Sequence, residues 1–166
     1  MHNKIYIMGP VGSGKTTFAT KLSKLYNIKY YELDKVCWDD DHGNIRRSDE
    51  ESQKIFSEIL KQKKWIIEDI GREKFKQGRI DADIIYYIKF SKMKAYYSVT
   101  KRWIKQKLGF ERYNHPPDFN QLIYFISIVK SYFKKEQSKL DGLEEFKAKL
   151  KIVSRKDINR ILNDTQ

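Results

Sequence analysis

Residues 9–16 read Gly9-Pro10-Val11-Gly12-Ser13-Gly14-Lys15-Thr16, and no other stretch constrains the fold so tightly. Closely spaced glycines let a backbone curl around an anion with its N–H groups turned inward. A lysine follows the last glycine and a hydroxyl follows the lysine, which is the P-loop spacing G-x-x-x-x-G-K-[ST] without a mismatch. Such a loop needs a buried strand before it and a helix after it. Residues 4–8 are an apolar, strand-like run. Beyond the loop, Phe18, Leu22 and Leu25 recur at helical spacing. The stretch therefore reads as a phosphate cradle made by Gly9, Pro10, Val11, Gly12, Ser13, Gly14, Lys15, Thr16 and Thr17. Lys15 reaches the β- and γ-phosphates and Thr16 is a ligand for Mg²⁺. The helix dipole and its free N–H groups reinforce the site.

The rest of the chain alternates strand-like and helix-like segments. Strands are expected at 28–33, 64–69, 82–88 and 149–153, with helices between them. Ser48-Asp49-Glu50-Glu51 has the form of a capping box, and the helix it opens carries an apolar stripe of Ile55, Phe56, Ile59 and Leu60. A long helix is expected from about 92 to 108 and another from about 119 to 137, the second with Leu122, Ile126, Val129 and Phe133 on one stripe. A short helix is expected at 140–149, and Ser154 opens the last one. Between the two long helices, Gly109 and the pair Pro116-Pro117 break the helical pattern. Five strands separated by helices imply a parallel, doubly wound α/β sheet. Neither a linker, a repeat nor a low-complexity tract interrupts 1–166, so the expectation is one domain.

In such a sheet the ligand sits at the carboxyl edge of the strands. That draws attention to the residues ending each strand. Asp34 ends the second; it is a candidate to bind Mg²⁺, orient an acceptor hydroxyl or take its proton, the alternative being a cap on the next turn. Glu68 and Asp69 end the third, and either suits the acidic position that helps hold Mg²⁺. Gly71 allows close backbone approach to an acceptor, and Arg72 can meet its anionic group. Arg46 and Arg47 precede a helix on the acceptor side and can clamp an anion or form an exposed pair. Ser154 and Arg155 follow the fifth strand, a natural place for an adenine ring. Arg112, in the Gly/Pro-rich connection, is placed to swing onto the phosphates. Residues 39–42 (Asp-Asp-Asp-His) are read as a solvated loop, since consecutive residues rarely converge on one ion.

The length of 166 residues suits one domain with a full core. Lys and Arg number 34 against 22 Asp and Glu, a net charge of +12. Nucleotide, nucleic acid or an acidic surface would all suit that excess, and so would a solvated lysine-rich exterior. Cys37 is the only cysteine, so an internal disulfide and a cysteine metal site are excluded. The apolar cluster at 122–129 is too short to span a bilayer. With no signal peptide at the start of the chain, a cytoplasmic monomer or homodimer is expected.

With these residues placed, the chain resembles the small P-loop kinases of the adenylate-kinase-like and shikimate-kinase-like class. More narrowly it resembles the bacterial DNA topology modulation proteins, a group of adenylate-kinase-related kinases. The marks are the segments 9–17 (GPVGSGKTT), 30–38 (YYELDKVCW), 46–48 (RRS), 65–68 (WIIE) and 101–109 (KRWIKQKLG). The resemblance implies a three-layer P-loop NTPase fold, with five parallel strands in the order 2-3-1-4-5, helices on both faces and a helical lid at about 101–120. It implies ATP and Mg²⁺ as cofactors. It also assigns Arg102, on the helix that leads into the lid, to ATP. Two departures limit what carries over. Nucleoside monophosphate kinases have Asp-Gly-x-Pro-Arg after the third strand, where this chain has Glu68-Asp69-Ile70-Gly71-Arg72. Shikimate kinases have Asp-x-Asp after the second strand, where only Asp34 matches.

The leading functional expectation is phosphoryl transfer from Mg·ATP to a hydroxyl or phosphate acceptor, with Lys15, Asp34, Arg102 and Arg112 as the catalytic set and Thr16, Asp34 and Asp69 on the metal. The alternative is a nucleic-acid-associated ATP-binding protein affecting DNA topology, or a nucleic-acid end kinase; the charge favours it and the lack of a DNA-reading motif opposes it. A regulatory GTPase fits poorly. Ser154-Arg155-Lys156-Asp157 stands where Asn-Lys-x-Asp is required, and Asp69-Ile70-Gly71 is one residue short of the switch Asp-x-x-Gly.

Overall fold

The computed structural model describes residues 2–39, 45–111 and 118–164. Five strands form one parallel sheet: β1 (Lys4–Met8), β2 (Tyr30–Glu32), β5 (Trp65–Asp69), β6 (Ile84–Ile88) and β7 (Leu150–Val153). Their order is β2-β5-β1-β6-β7. Counting the strands of this sheet alone, that is the expected 2-3-1-4-5. Between β2 and β5, β3 (Trp38–Asp39) and β4 (Ile45–Arg46) pair antiparallel as a separate ribbon.

β1 lies at the centre because both of its faces are apolar. It pairs in parallel with β5 on one side and β6 on the other. Strand periodicity divides the core in two. Ile5 and Ile7 join Ile66, Ile84, Tyr86 and Ile88 on one face. α1 (Lys15–Tyr26) covers that face with Phe18, Ala19 and Leu22, aided by Ile158 of α8 (Arg155–Asn163). Burial of a side chain such as Phe18 or Leu22 contributes about 2 kcal/mol. Tyr6 and Met8 point the other way, with Trp65, Ile67, Ile85 and Tyr87. There they meet α2 (Leu33–Cys37), α3 (Asp49–Leu60) and the 3₁₀ turn at Glu73–Phe75 that leads into α4 (Lys76–Asp81). The result is a three-layer α/β fold.

α5 (Lys92–Lys107) and α6 (Phe119–Lys134) form a helical hairpin above the carboxyl edge of the sheet. Ala95, Val99 and Val129 are its small core, and Val11 of the glycine loop packs against them. α7 (Glu136–Asp141) and a 3₁₀ segment at Glu144–Lys149 bring the chain back to β7.

Several expected boundaries move. The second strand is only three residues long, because residues 33–37 turn helical and bury Leu33, Val36 and Cys37 in the core. Asp34 therefore lies in the first turn of α2 rather than at a strand end. The 119–137 helix stops at Lys134. On α6 the buried residues are Leu122, Val129 and Tyr132, while Ile126 is exposed. On α3, Phe56 and Ile59 are buried and Ile55 is exposed. The helix expected at 140–149 is instead α7 followed by the 3₁₀ segment. The expected capping box is formed by Ser48 with Glu51, and Ser154 with Asp157 forms a second one at the start of α8. Among the described residues no helix is long and apolar enough to cross a membrane.

Candidate active site

The glycine loop leaves β1 at the carboxyl edge, and its glycines do what side chains would prevent. Gly12 has φ +77, and a Cβ there would lie 2.8 Å from the Cβ of Ser98 on α5. Gly14 has φ +93 and is the N-cap of α1, where no side chain caps the free N–H groups. Open space surrounds Gly14, so the constraint there is backbone conformation alone. Lys15, the first residue of α1, is buried, and its ammonium donates to the carbonyl of Pro10 at 3.0 Å. The Oγ of Ser13 is buried without a hydrogen-bond partner. An orphaned donor, an inward lysine and an uncapped helix N-terminus fit a chain of phosphates. The loop is open at the surface, with Gly14, Thr16 and Thr17 exposed.

Thr16 reaches β5 through its hydroxyl. Its Oγ1 donates to Oε2 of Glu68 at 2.6 Å. Alternation along β5 explains the partner: Glu68 shares the α1 face with Ile66, whereas Asp69 shares the opposite face with Ile67. Burial pushes the Glu68 carboxyl above the ordinary glutamate value. The Lys15 ammonium and the Thr16 hydroxyl pull it back in part, and Asp34 and Glu32 nearby raise it further. Two oxygen ligands from the protein suit Mg²⁺, which takes its remaining ligands from phosphates and water. Among the described residues no three His, Cys, Asp or Glu side chains gather as a self-sufficient metal cage.

Asp69, the expected metal-side carboxylate, is turned away from Thr16. Its Oδ2 accepts from the backbone N–H groups of Gly71 at 2.8 Å and Arg72 at 2.5 Å, and from the Tyr6 hydroxyl at 3.3 Å. Its Oδ1 accepts from Arg72 Nη1 at 2.5 Å. Four hydrogen bonds to a buried carboxylate make it the organiser of the turn after β5. The same Arg72 guanidinium bridges to Asp34, so two of the residues expected to handle the acceptor, Asp34 and Arg72, form one charged cluster with Asp69. The two carboxylates raise the Arg72 pKa despite partial burial. Gly71 completes the turn with φ +82 and lies under Met8 and Lys139.

Sequence reasoning missed Lys139. Its ammonium, on α7, donates to the carbonyls of Ile70 at 3.0 Å and Gly71 at 2.6 Å. Burial lowers its pKa, and the nearby Asp69 carboxylate opposes that shift. No local signal marks a lysine that meets its partners across 68 positions of chain. Arg79, which is buried where Lys139 is half-buried, is a second cation with no sequence signal, donating to the Arg72 carbonyl and to Glu73.

A cavity of about 610 Å³ opens beside the glycine loop. Gly12, Ser13, Gly14 and Thr17 line one side of it, and Arg102, Ser154 and Arg155 line the other sides. Of the expected nucleotide residues, Gly12, Ser13, Gly14, Thr17, Arg102, Ser154 and Arg155 lie round this one space, while Gly9, Pro10, Val11, Lys15 and Thr16 are not on its lining. Lys89, Lys94, Lys101 and Lys105 face the same space. Arg102 lies 3.6 Å from Glu111. Arg112 lies outside the described residues, as do positions 40–42 of the acidic loop. Arg46 is exposed on β4, and Arg47 is committed elsewhere. It donates to the carbonyls of Lys35 at 2.7 Å and Trp38 at 2.8 Å and pairs with Asp39 at 3.1 Å. Arg47 is thus a strut between α2 and the β3–β4 ribbon.

No protein-family model matches the chain, and no curated protein matches its sequence. Solved structures do share the fold. A gluconokinase from Sinorhizobium meliloti 1021 superposes with a TM-score of 0.54 at 14% identity, over 98% of this chain and 89% of that one. A shikimate kinase from Bacteroides thetaiotaomicron superposes with a TM-score of 0.56 at 12% identity, over 100% of this chain and 97% of that one. The chain shares the fold of these two kinases, and neither likeness supports the narrower resemblance to topology modulation proteins.

Proposed function

We propose that the protein is an ATP-dependent phosphotransferase that moves the γ-phosphoryl group of Mg·ATP to the hydroxyl or phosphate of a small acceptor. The observation that carries this reading is the pairing of Thr16 with Glu68 at the mouth of the glycine loop, 2.6 Å apart beside the buried Lys15. The names of the two solved kinases with this fold agree with it. Mg·ATP supplies the phosphoryl group and, through the ion, neutralises part of its charge.

The chain's own residues do the rest. The loop N–H groups and the Ser13 hydroxyl hold the phosphates, and Lys15 leaves the Pro10 carbonyl to meet them. Thr16 and Glu68 hold the ion, in place of the Asp69 assignment. Arg102 and Arg155 bracket the nucleotide side of the cavity, and Arg112, which lies outside the described residues, is assigned to the phosphates on its place in the sequence alone. Asp34 sits on the acceptor side, where it orients a hydroxyl and takes its proton. Arg72 meets an acceptor's anionic group across the Gly71 turn, releasing Asp34 as it does so. Positioning and charge stabilisation account for most of the rate in such transfers. The reading also places the protein in the cytoplasm, as one domain.

The test is a panel of purified protein, Mg·ATP and candidate acceptors: nucleosides, mononucleotides, sugar acids and other small alcohols, and oligonucleotides. One class should accelerate ADP release well above the rate with water alone. Equal, water-level release across the panel would remove the phosphotransferase reading.

A further inference from the structure

A second concavity, of about 720 Å³, lies beside the nucleotide cavity. The two share the turn that leaves β6, made of Lys89, Phe90 and Ser91. That turn is fixed: the Lys89 N–H donates to the Val153 carbonyl at 2.9 Å, and Ser91 caps α5. Lys89 and Lys92 line one side of the groove and Lys130 and Lys134 of α6 line the other. All four are exposed, and none is in an ion pair among the described residues. The acidic residue lining the groove is Glu136, whose Oε1 already accepts from the Tyr87 hydroxyl at 3.0 Å. The groove also holds the half-buried rings of Phe90 and Phe133, set in place by the α5–α6 core.

Four cations on two walls with two fixed rings between them is more than a nucleotide at the glycine loop requires. We propose that this groove binds single-stranded nucleic acid, with phosphates on Lys89, Lys92, Lys130 and Lys134 and bases against Phe90 and Phe133. A basic groove that tracks a backbone, with aromatic surfaces that any base can cover, is the general solution for single strands. Inorganic polyphosphate or an acidic peptide would use the lysines and leave the rings without a partner. The net charge of +12 adds long-range attraction for the same ligand. Because the β6–α5 turn belongs to both cavities, nucleotide and nucleic acid meet on one rigid element. The proposal does not depend on the phosphotransferase reading: a protein that binds oligonucleotide and not ATP would overturn that reading and leave this one standing.

The experiment is fluorescence anisotropy with a labelled short oligothymidylate, comparing the full chain with Lys130→Gln/Lys134→Gln. Neither lysine lines the nucleotide cavity. Four phosphate contacts to a single strand predict that affinity falls about fiftyfold between about 50 and 200 mM salt, and two contacts about sevenfold. The double variant should therefore bind more weakly at low salt and show the shallower dependence, with its binding of a fluorescent ATP analogue unchanged. Absence of oligothymidylate binding at low salt, or the same salt slope in both proteins, would overturn the proposal. So would loss of ATP binding by the double variant, which would make the groove part of the nucleotide site. Displacement of the label by polyphosphate or polyglutamate as readily as by unlabelled oligothymidylate would also overturn it, by assigning the groove to polyanions in general.

Discussion

Glu68 and Asp69 are adjacent in sequence and face opposite sides of β5. Glu68 meets Thr16 and Lys15; Asp69 meets Arg72, Gly71 and Tyr6. The two therefore respond differently to loss of charge. Glu68→Gln should leave thermal stability near that of the parent and lower Mg²⁺-dependent turnover about a hundredfold, measured by titrating Mg²⁺ at fixed ATP. Asp69→Asn should instead cost about 3 kcal/mol, seen in urea unfolding, because the Arg72 guanidinium loses its buried counter-charge. The raised Glu68 pKa sets the pH dependence. The proton must leave before the carboxylate can serve a metal, so Mg²⁺ affinity should fall as pH drops through a value above the ordinary glutamate range. The Gln variant should lack that limb. For stability the sign is opposite: the folded state holds this proton more tightly than the unfolded one, so its contribution is present in acid and lost as pH rises through the raised value. Asp34→Asn should spare ATP binding and abolish transfer; equal turnover by both proteins would remove Asp34 from the mechanism. The acidic pair after the third strand was legible in the sequence. Which of the two serves the loop was not, because strand alternation separates them but only the crossover of α1 decides which face is which.

The helix with a capping signal starts where the sequence placed it. Ser48-Asp49-Glu50-Glu51 opens α3, with the Glu51 N–H donating to Ser48 Oγ at 3.1 Å and the Ser48 N–H to Glu51 Oε2 at 2.9 Å. Ser48→Ala should cost about 1 kcal/mol. In a chain of this size that lowers Tm by about 2–4 °C, with ATP binding unchanged. α2 was invisible because a five-residue helix has almost no propensity of its own. It forms because Leu33, Val36 and Cys37 find the core, and because Arg47 ties its end to the β3–β4 ribbon. The 3₁₀–α4 segment was unread for the same reason, and Phe75, buried against Phe56, holds it in place. Where the α5–α6 hairpin meets the glycine loop, tolerance is low. Gly12→Ala should weaken ATP binding at least tenfold, since the added methyl meets Ser98 and the +77° φ is strained for any other residue. A fluorescent ATP analogue reads this directly, and unchanged affinity would mean that the loop is not held against α5.

At the scale of the molecule, the parallel sheet brings every functional segment to one edge. The glycine loop follows β1, Asp34 follows β2, Gly71 and Arg72 follow β5, the shared basic turn follows β6, and Ser154 and Arg155 follow β7. This arrangement was legible because it depends on strand order and on the motif after β1, both of which leave patterns in the chain. The acceptor side was less legible. Lys139 reaches it across 68 positions of chain and Arg79 from α4, six and seven residues beyond its partners, and their roles come from packing rather than spacing. The charge was legible as a total and not as a distribution. Only the folded chain shows lysines gathered on the two sides of the β6–α5 turn. The phosphotransferase reading depends on a triphosphate held at the end of β1, and calorimetric titration of Mg·ATP into the native protein and Lys15→Ala tests it most directly. The account predicts one saturable site in the native protein. It predicts affinity about a hundredfold weaker in a variant whose circular dichroism is unchanged, because a buried ammonium facing the phosphates is removed. Equal affinity in the two proteins would contradict it.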